Sequence, residues 1–339
     1  MPKIVLDAMG SDNYPEPELQ AAVQAAQLFG DEVILTGPEA TLAPKLAALG
    51  AKNVRLVDAP EVFEMTDKIS PGMLKRAKNS MAVGMQMVKS GEADAFVTMG
   101  NTGGAMANAL VQLGRIRGVI RPALSGLFPV KNGKCAVVDI GANAECKPEY
   151  LVQFALMGSA YADKVLGIRN PRVGLISNGE EAGKGNDLVK ATHPLLAATS
   201  GLNFVGNIEG KELFGGHADV AVTDGFTGNV LLKSSEAVAR LLVDTLREEL
   251  TSSFVTKIGA ALARPAFGKL RKMLDPAEIG AAPLLGVDGL VFVGHGRSDA
   301  RAVISAIRTA RQAVESNLMV HLRAAIEKQA QSLKLEESA

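Results

Sequence analysis

A glycine-rich turn in the sequence MGNTGGAMANAL has the clearest chemical signature in this 339-residue chain. Gly100, Asn101, Thr102 and Gly103 stand between an apolar run and an apparent helix start. Such a turn presents backbone NH groups in front of the positive end of a helix dipole, and Thr102 adds a hydroxyl donor. We therefore predict a phosphate site here. A conformational role stays open, because tight strand-to-helix turns also favour glycine and asparagine.

A second polar stretch, SNGEEAGKGNDLVKATH, follows another apolar run. Its candidate catalytic or substrate-binding residues are Asn178, Glu181, Lys184 and His193. Lys184 lies between Gly183 and Gly185 and suits the neutralisation of a phosphate or of a developing oxyanion. His193 precedes Pro194, where it suits either a general acid or a structural residue near a helix end.

Three more groups of candidates follow the same pattern of an apolar run ending in polar residues. The stretch VTDGFTGNVLLKSSE contains Asp224, Thr227, Asn229 and Lys233, the stretch DIGANAEC contains Asn143, and the first run, DAMGSD, contains Asp7 and Gly10. Thr227 is expected to be an N-cap, and Lys233 follows Asn229 by one helical turn. Side-chain hydrogen bonds within turns are the alternative role for the Asp and Asn residues. We predict no metal ion and no cofactor, since hard cations need several converging oxygen ligands.

The elements that must position these residues read as alternating strands and helices. Strand-like runs such as KIVLDAM, EVILTG and VRLVDA are separated by helical stretches at 16–28 and 39–49, and the rhythm continues along the chain. This pattern predicts an α/β fold, a three-layer α/β/α sandwich with a mostly parallel sheet. Ligands of such sheets bind beyond the carboxyl ends of the strands, where the candidates stand. We expect one catalytic unit over residues 1–333 and a disordered tail at 334–339.

A helical, basic excursion is expected at about 240–285. The segment 251–274 contains five Lys and Arg residues without an acid, and Phe254, Ile258 and Leu262 recur at helical spacing. Pro265 is expected to divide it into two short helices. A membrane surface, an acidic partner or a homodimer interface would each suit this pattern.

Composition narrows the classes of function. The 36 basic residues balance the 36 acidic ones, and Trp is absent, so nucleic-acid binding is not expected. The N-terminus lacks the regions of a signal peptide, and no apolar run reaches the length of a membrane-spanning helix. The two cysteines have no metal-ligand neighbours and are expected to be reduced thiols. These features predict a cytoplasmic protein that touches a membrane at most peripherally.

Taken in order, DAMGSD, GNTGG, DIGANAECKPEYLVQFALMGSAYA, SNGEEAGKGNDLVKATHPLL and DVAVTDGFTGNVLLKSSE resemble the PlsX family of phosphate acyltransferases. The resemblance implies a fold similar to that of the isocitrate and isopropylmalate dehydrogenases and of phosphate acetyltransferase, in a homodimer. It implies transfer of a fatty acyl group from acyl carrier protein to inorganic phosphate, giving acyl phosphate for phospholipid synthesis. A glycerol-phosphate acyltransferase would receive the product, and the enzyme would associate peripherally with membrane.

Two positions depart from the family pattern. Asn13, Tyr14 and Pro15 follow DAMGSD where the family commonly has His-Ala-Pro, so a histidine there is not essential in this chain. Met99 replaces a small residue before GNTGG. Its side chain would either narrow an acyl tunnel or fill a gap in the core.

The implied reaction needs a held phosphate and a donor for the tetrahedral oxyanion, but no covalent enzyme intermediate. We assign phosphate binding to the turn at 101–103 and to Lys184, and polarisation of the thioester carbonyl to Asn229 and Asn143. Lys190, Lys211 and the basic run at 257–272 are docking candidates for the acidic carrier. The alternatives are a phosphate acetyltransferase that uses coenzyme A, a metal-dependent nicotinamide-linked dehydrogenase, and a non-catalytic lipid-binding protein.

Overall fold

The computed structural model describes residues 1–67, 70, 77–278 and 280–337, with side chains other than those at 269, 271, 272, 276 and 332–337. The strands are β1 Lys3–Asp7, β2 Glu32–Gly37, β3 Val54–Asp58, β4 Ala95–Thr98, β5 Ala123–Val130, β6 Gly133–Val138, β7 Arg172–Ile176, β8 Asn203–Ile208, β9 Val220–Val222, β10 Ala281–Leu285 and β11 Leu290–Gly294. The helices are α1 Glu16–Phe29, α2 Glu39–Ala48, α3 Ser80–Ser90, α4 Thr102–Gln112, α5 Pro148–Lys164, α6 Asp187–Ala198, α7 Gly210–Gly215, α8 Gly225–Thr251, α9 Phe254–Leu262, α10 Arg264–Leu274, α11 Ala300–Glu315 and α12 Leu318–Glu337.

Apolar residues cover both faces of the sheet. Ile4 and Leu6 of β1 belong to one buried cluster, whereas Val5 between them belongs to the other. Because successive side chains of a strand point to opposite faces, both faces must be covered by helices. The predicted three-layer α/β/α architecture is confirmed.

The described strands form one 11-stranded sheet in the order β3-β2-β1-β4-β11-β10-β5-β6-β9-β7-β8. β10 is antiparallel to both β11 and β5, β5 is antiparallel to β6, and the other neighbours are parallel. The sheet therefore has two parallel wings that run in opposite directions. We call β1–β4 with β11 the first wing, and β6–β9 the second wing.

The two wings end close to each other although they point in opposite directions. Val138, the last residue of β6, pairs with Ser125 of β5. The adjacent Leu124 pairs with Leu284 in β10, and β10 begins beside the end of β11, where Ala281 pairs with Gly294. The carboxyl end of β6 therefore reaches the middle of the sheet, within range of the loops that follow the first wing.

The segment around 240–285 differs in part from the expected excursion. Its last five residues, Ala281–Leu285, form β10 at the centre of the sheet. The sequence AAPLL gives a weak strand signal, because alanine and proline are both uncommon in strands. The helical part consists of the second half of α8 together with α9 and α10, and Pro265 lies in the first turn of α10, so the predicted break is confirmed.

Helices α8 to α10 expose an unusual amount of apolar surface. Only Gly225 and Gly228 of the 27-residue α8 are buried. Phe254 and Leu262 of α9 are 79% and 80% exposed. The last helix, α12, runs to Glu337, and residues 338 and 339 of the expected tail lie outside the described residues.

Candidate active site

The glycine-rich turn begins helix α4, and Asn101 is its N-cap. Asn101 Oδ1 accepts a hydrogen bond from the Gly104 NH at 2.9 Å, and Asn101 Nδ2 donates to the Met65 carbonyl at 2.8 Å. The NH groups of Thr102 and Gly103 occupy the first two helical positions, where no intrahelical acceptor exists. The side chain of Asn101 therefore holds the turn, while the backbone of Thr102 and Gly103 is available to an anion.

Thr102 and Gly103 face a small cavity of about 100 Å³. Its other described lining residues are Met106, Leu124, Gly141, Ala142, Leu284 and Val293. Gly141 and Ala142 belong to the loop after β6, so the cavity joins a strand end of the first wing to one of the second wing. The lining is otherwise apolar, which would strengthen hydrogen bonds to a bound anion.

The loop after β6 is folded around the buried carboxylate of Asp139. Its two oxygens accept hydrogen bonds from the NH groups of Leu124, Gly141, Ala142 and Asn143 and from Asn143 Nδ2, at 2.7–3.1 Å. Burial raises the pKa of Asp139, and these hydrogen bonds act in the opposite direction. Asn143 Nδ2 also donates to the Pro122 carbonyl at 2.7 Å. Both amide hydrogens of Asn143 therefore hold the loop, which leaves its predicted role in carbonyl polarisation without a donor.

Asn229 reaches the same loop from the start of α8. Its Nδ2 donates to the Ile140 carbonyl at 3.0 Å and lies beside Gly141. The helix can approach this closely because of Gly228, where a Cβ atom would stand 1.9 Å from the Asp139 carbonyl oxygen. The Ile140 bond uses one of the two amide hydrogens of Asn229.

The N-cap of α8 is Asp224, so the prediction that Thr227 caps this helix is wrong. Asp224 Oδ1 accepts from the Thr227 NH and its Oδ2 from the Thr227 hydroxyl, both at 2.8 Å. An acidic N-cap precedes the first helical residue, whereas Thr227 stands at the third position inside the helix. Lys233 is exposed and pairs with Glu236 at 3.4 Å, away from the small cavity.

Asp7 and Gly10 support the glycine-rich turn from behind. Asp7 is 1% exposed and accepts hydrogen bonds from the Thr98 hydroxyl at 2.7 Å and from the Met9 NH at 3.1 Å. Burial raises its pKa, and the hydrogen bonds from Ser80 and Thr98 oppose that shift. A Cβ atom at Gly10 would lie 2.8 Å from the Met99 nitrogen, so the first turn packs on the second.

Met99 is fully buried within an apolar core cluster, and its sulfur packs against Gly294. Of the two roles considered for this departure from the family pattern, filling a gap in the core fits the structure.

Glu18, at the start of α1, is a buried carboxyl that the sequence pattern did not single out. Its Oε1 accepts from the Ser11 NH at 2.9 Å, and its Oε2 has no hydrogen-bond partner in the described part of the chain. Burial raises the pKa of Glu18 to about 7. In the sequence, Glu18 looks like the exposed Glu16 of the same helical turn, so its burial could not be predicted.

The loop of Lys184 follows β7 and is organised toward β8. Asn178 Oδ1 accepts from the Gly185 NH at 2.9 Å, and the Glu181 carbonyl accepts from Asn207 Nδ2 at 2.9 Å. The Lys184 side chain is exposed and forms no ion pair among the described residues. Lys184 is not among the described lining residues of the small cavity, and β9 lies between β7 and β6 in the sheet.

Two other predicted residues have structural partners. His193 is half-buried in the middle of α6, where its ring packs edge-on against Phe204 at 5.2 Å. Lys211 forms ion pairs with Glu180 at 2.9 Å, Glu212 at 3.4 Å and Glu209 at 3.7 Å. The local charge around Lys211 is therefore negative, which disfavours it as a docking site for an acidic carrier, whereas Lys190 is exposed.

The structure also bears on metal sites, on the two cysteines and on membrane-spanning helices. No group of three or more His, Cys, Asp or Glu side chains in the described residues is arranged to hold a metal ion. Cys135 is buried and Cys146 half-buried; burial raises the pKa of each thiol to about 12. Among the helices that the structure describes, none is long and apolar enough to cross a bilayer.

Comparison with known proteins identifies the family. The family described as "Fatty acid synthesis protein" matches residues 2–321. A phosphate acyltransferase of Pelotomaculum thermopropionicum is 46% identical over 326 residues, covering 96% of this chain and 95% of its own. The phosphate acyltransferase of Thermus thermophilus is 47% identical over 321 residues, covering 95% and 97%.

Solved structures support the fold alone. The EutD phosphotransacetylase from Staphylococcus aureus superposes with a TM-score of 0.60 at 17% identity, covering 93% of this chain and 94% of its own. The 4-hydroxythreonine-4-phosphate dehydrogenase from Klebsiella pneumoniae superposes with a TM-score of 0.56 at 14% identity, covering 93% and 100%. The predicted likeness to the phosphate acetyltransferase fold is confirmed.

Proposed function

The chain belongs to the fatty acid synthesis protein family of phosphate acyltransferases and is an acyltransferase; from this premise we propose that it moves a fatty acyl group from acyl carrier protein to inorganic phosphate. A phosphate oxygen attacks the thioester carbonyl, the carbon–sulfur bond breaks, and the products are acyl phosphate and the free carrier thiol. The thiolate takes up a proton after it leaves. Phosphate is already an anion near neutral pH, so no enzyme nucleophile is needed.

The small cavity between the two wings is the observation that supports this proposal most. Its volume of about 100 Å³ and the NH groups of Thr102 and Gly103 suit a single tetrahedral anion. The hydroxyl of Thr102 adds a third donor. Phosphate would lie at the positive end of the α4 dipole, with no compensating acid among the described lining residues.

We assign the oxyanion donor to Asn229. One of its amide hydrogens is fixed by the Ile140 carbonyl, which orients the other toward the space beside Gly141. A donor held in this way costs little reorganisation when charge develops on the carbonyl oxygen. Asn143 acts indirectly in this account, because it holds the loop that Asn229 contacts.

The carrier is expected to dock on basic residues beside this cavity. The loop between α4 and β5, residues 113–122, contains Arg115, Arg117 and Arg121 and no acid. Arg117 and Arg121 are exposed and form no ion pair in the described part of the chain. The next residue, Pro122, contacts Asn143 of the loop after β6. Acidic carriers would therefore be attracted close to the site where the thioester must arrive.

Several wider roles belong to the same proposal. The acyl phosphate would pass to a glycerol-phosphate acyltransferase in phospholipid synthesis. The exposed apolar residues of α8 to α10 suit both a homodimer interface and peripheral membrane contact for a cytoplasmic enzyme.

The test is a comparison of donors. Palmitoyl-acyl carrier protein, palmitoyl-coenzyme A and acetyl-coenzyme A are each incubated with the enzyme and phosphate, and acyl phosphate is measured by mass spectrometry. The proposal predicts the highest kcat/KM for the carrier-bound long chain, falling as ionic strength rises. A preference for acetyl-coenzyme A would replace it with a phosphate acetyltransferase activity.

A further inference from the structure

A second, larger cavity lies on the same side of the sheet as the small one. Its volume is about 500 Å³, and its described lining is mainly apolar, including Phe128, Phe214, Leu232, Ala239, Leu242 and Met273. β5, α7, α8 and the end of α10 form its walls, with the rings of Phe128 and Phe214 6.3 Å apart. The size lies within the range of about 300–1,000 Å³ that is usual for ligand cavities.

One face of α8 connects this cavity to the proposed oxyanion donor. Asn229, Leu232, Glu236, Ala239 and Leu242 follow one another at spacings of three or four residues, so they share a face of the helix. Asn229 touches the loop after β6, and the other four line the larger cavity. The distance along the helix from the first to the last is about 20 Å at 1.5 Å per residue, comparable to an extended long fatty acyl chain.

Strand β5 makes the same connection beneath the helix. Leu124 lines the small cavity and Phe128 the larger one, and both belong to the same apolar cluster on one face of the sheet. Four residues of strand separate them by about 13 Å. Gly126 lies between them, and a Cβ atom there would stand 2.7 Å from Ile140 Cδ1. The buried side chain of Ile140 therefore packs on the stretch of β5 that separates the two cavities.

We propose that the larger cavity, which we call the acyl cavity, binds the hydrocarbon chain of the donor and of the acyl phosphate. The carbonyl lies at Asn229, the chain crosses Ile140, and its end lies near Leu242 and Met273. This inference rests on the proposed function, since it assigns a site to the chain of that substrate. Each methylene buried in the cavity strengthens binding by about fourfold, so the cavity selects long chains.

The competing occupant is a second copy of this chain, because α8 also exposes apolar residues outside the cavity. The course of α8 favours the acyl chain, because this helix carries Asn229 near its start and lining residues of the larger cavity farther along. A subunit interface has no need to begin at the donor of an oxyanion site, whereas an acyl chain must begin there.

The variant Ala239→Phe tests the inference by filling the middle of the acyl cavity. Its matched control is Ala237→Phe, which places the same side chain on an exposed position of the same helix outside the cavity lining. We expect the ratio of kcat/KM for palmitoyl over butyryl carrier to fall at least tenfold in Ala239→Phe and to stay within twofold of wild type in the control.

Binding of dodecyl phosphate, measured by calorimetry, separates this inference from the proposed reaction. Loss of at least tenfold in affinity in Ala239→Phe alone supports the acyl cavity even if no donor is turned over. An unchanged chain-length ratio together with unchanged dodecyl phosphate affinity overturns it. A change of oligomeric state in Ala239→Phe with both measurements unchanged also overturns it, in favour of a second copy in the cavity.

Discussion

The hydroxyl of Thr98 donates to Asp7 Oδ2 at 2.7 Å and accepts the NH of Gly100 at 3.0 Å. One buried side chain therefore links the end of β1 to the turn that starts α4. Asp7 is only 1% exposed, so in the proposed phosphate site its role is to fix this turn rather than to contact the substrate.

Replacing Thr98 should weaken phosphate binding more than it slows the chemical step. Thr98→Val keeps the shape of the side chain but removes both hydrogen bonds. The buried carboxylate of Asp7 then lacks one of its donors, which lowers stability by about 1–3 kcal/mol. We expect the KM for phosphate to rise severalfold while kcat changes less. Thr98→Ser retains the hydroxyl and should behave like wild type. Equal phosphate KM values in folded Thr98→Val and wild type would contradict the positioning role.

Lys184 provides a sharper test, because the structure leaves it outside the described lining of the small cavity. If it reaches phosphate or the oxyanion when substrates bind, Lys184→Ala should lower turnover by about a hundredfold. Lys89→Ala, which changes an exposed lysine in the last turn of α3, is the control and should retain turnover. Wild-type turnover in a folded Lys184→Ala protein would remove this lysine from the mechanism.

Glu18 should make stability depend on pH. Its pKa rises from 4.5 to about 7 on folding, so the favourable contribution is fully present below pH 4.5 and is lost as pH rises to about 7. The total loss is about 3 kcal/mol. Glu18→Gln cannot ionise, so its free energy of unfolding should fall less over this interval than that of wild type. The free energy of unfolding is measured by urea unfolding at each pH, with the surface variant Glu327→Gln as the control. Parallel pH profiles for wild type and Glu18→Gln would refute the raised pKa of Glu18.

Substitutions on the apolar face of α9 distinguish membrane contact from dimer formation. Phe254→Asn with Leu262→Asn removes two side chains that are 79% and 80% exposed. If the face binds membrane, sedimentation with anionic vesicles should be lost while the molar mass in solution stays constant. If it is a subunit interface, the molar mass should halve instead. Ala260→Asn, on another side of the helix, is the control.

The alternation of strands and helices was predictable, since each apolar run and each amphipathic stretch has its own period. The direction of β5, β6 and β10 was not, because periodicity does not distinguish parallel from antiparallel pairing. The sequence AAPLL of β10 also lacks β-branched residues.

Within the site, the polar strand ends were predictable as a class, but their individual roles were not. The polar atoms of Asn101, Asn143 and Asp224 form hydrogen bonds to neighbouring backbone or side-chain groups. These partners are determined by three-dimensional packing and are not visible in the sequence. The sequence gives no signal for the role of Thr98, because the last residue of a buried strand resembles any other β-branched core residue.

Phosphate labelled with heavy oxygen gives the most direct test of the proposed acyl transfer. Enzyme, palmitoyl-acyl carrier protein and labelled phosphate are incubated, and both the released thiol and the acyl phosphate are followed by mass spectrometry. We expect thiol release to require phosphate, and palmitoyl phosphate to form in equal amount with the label on its bridging oxygen. Thiol release that proceeds without phosphate, or a folded enzyme that forms no acyl phosphate from any chain length, would contradict it.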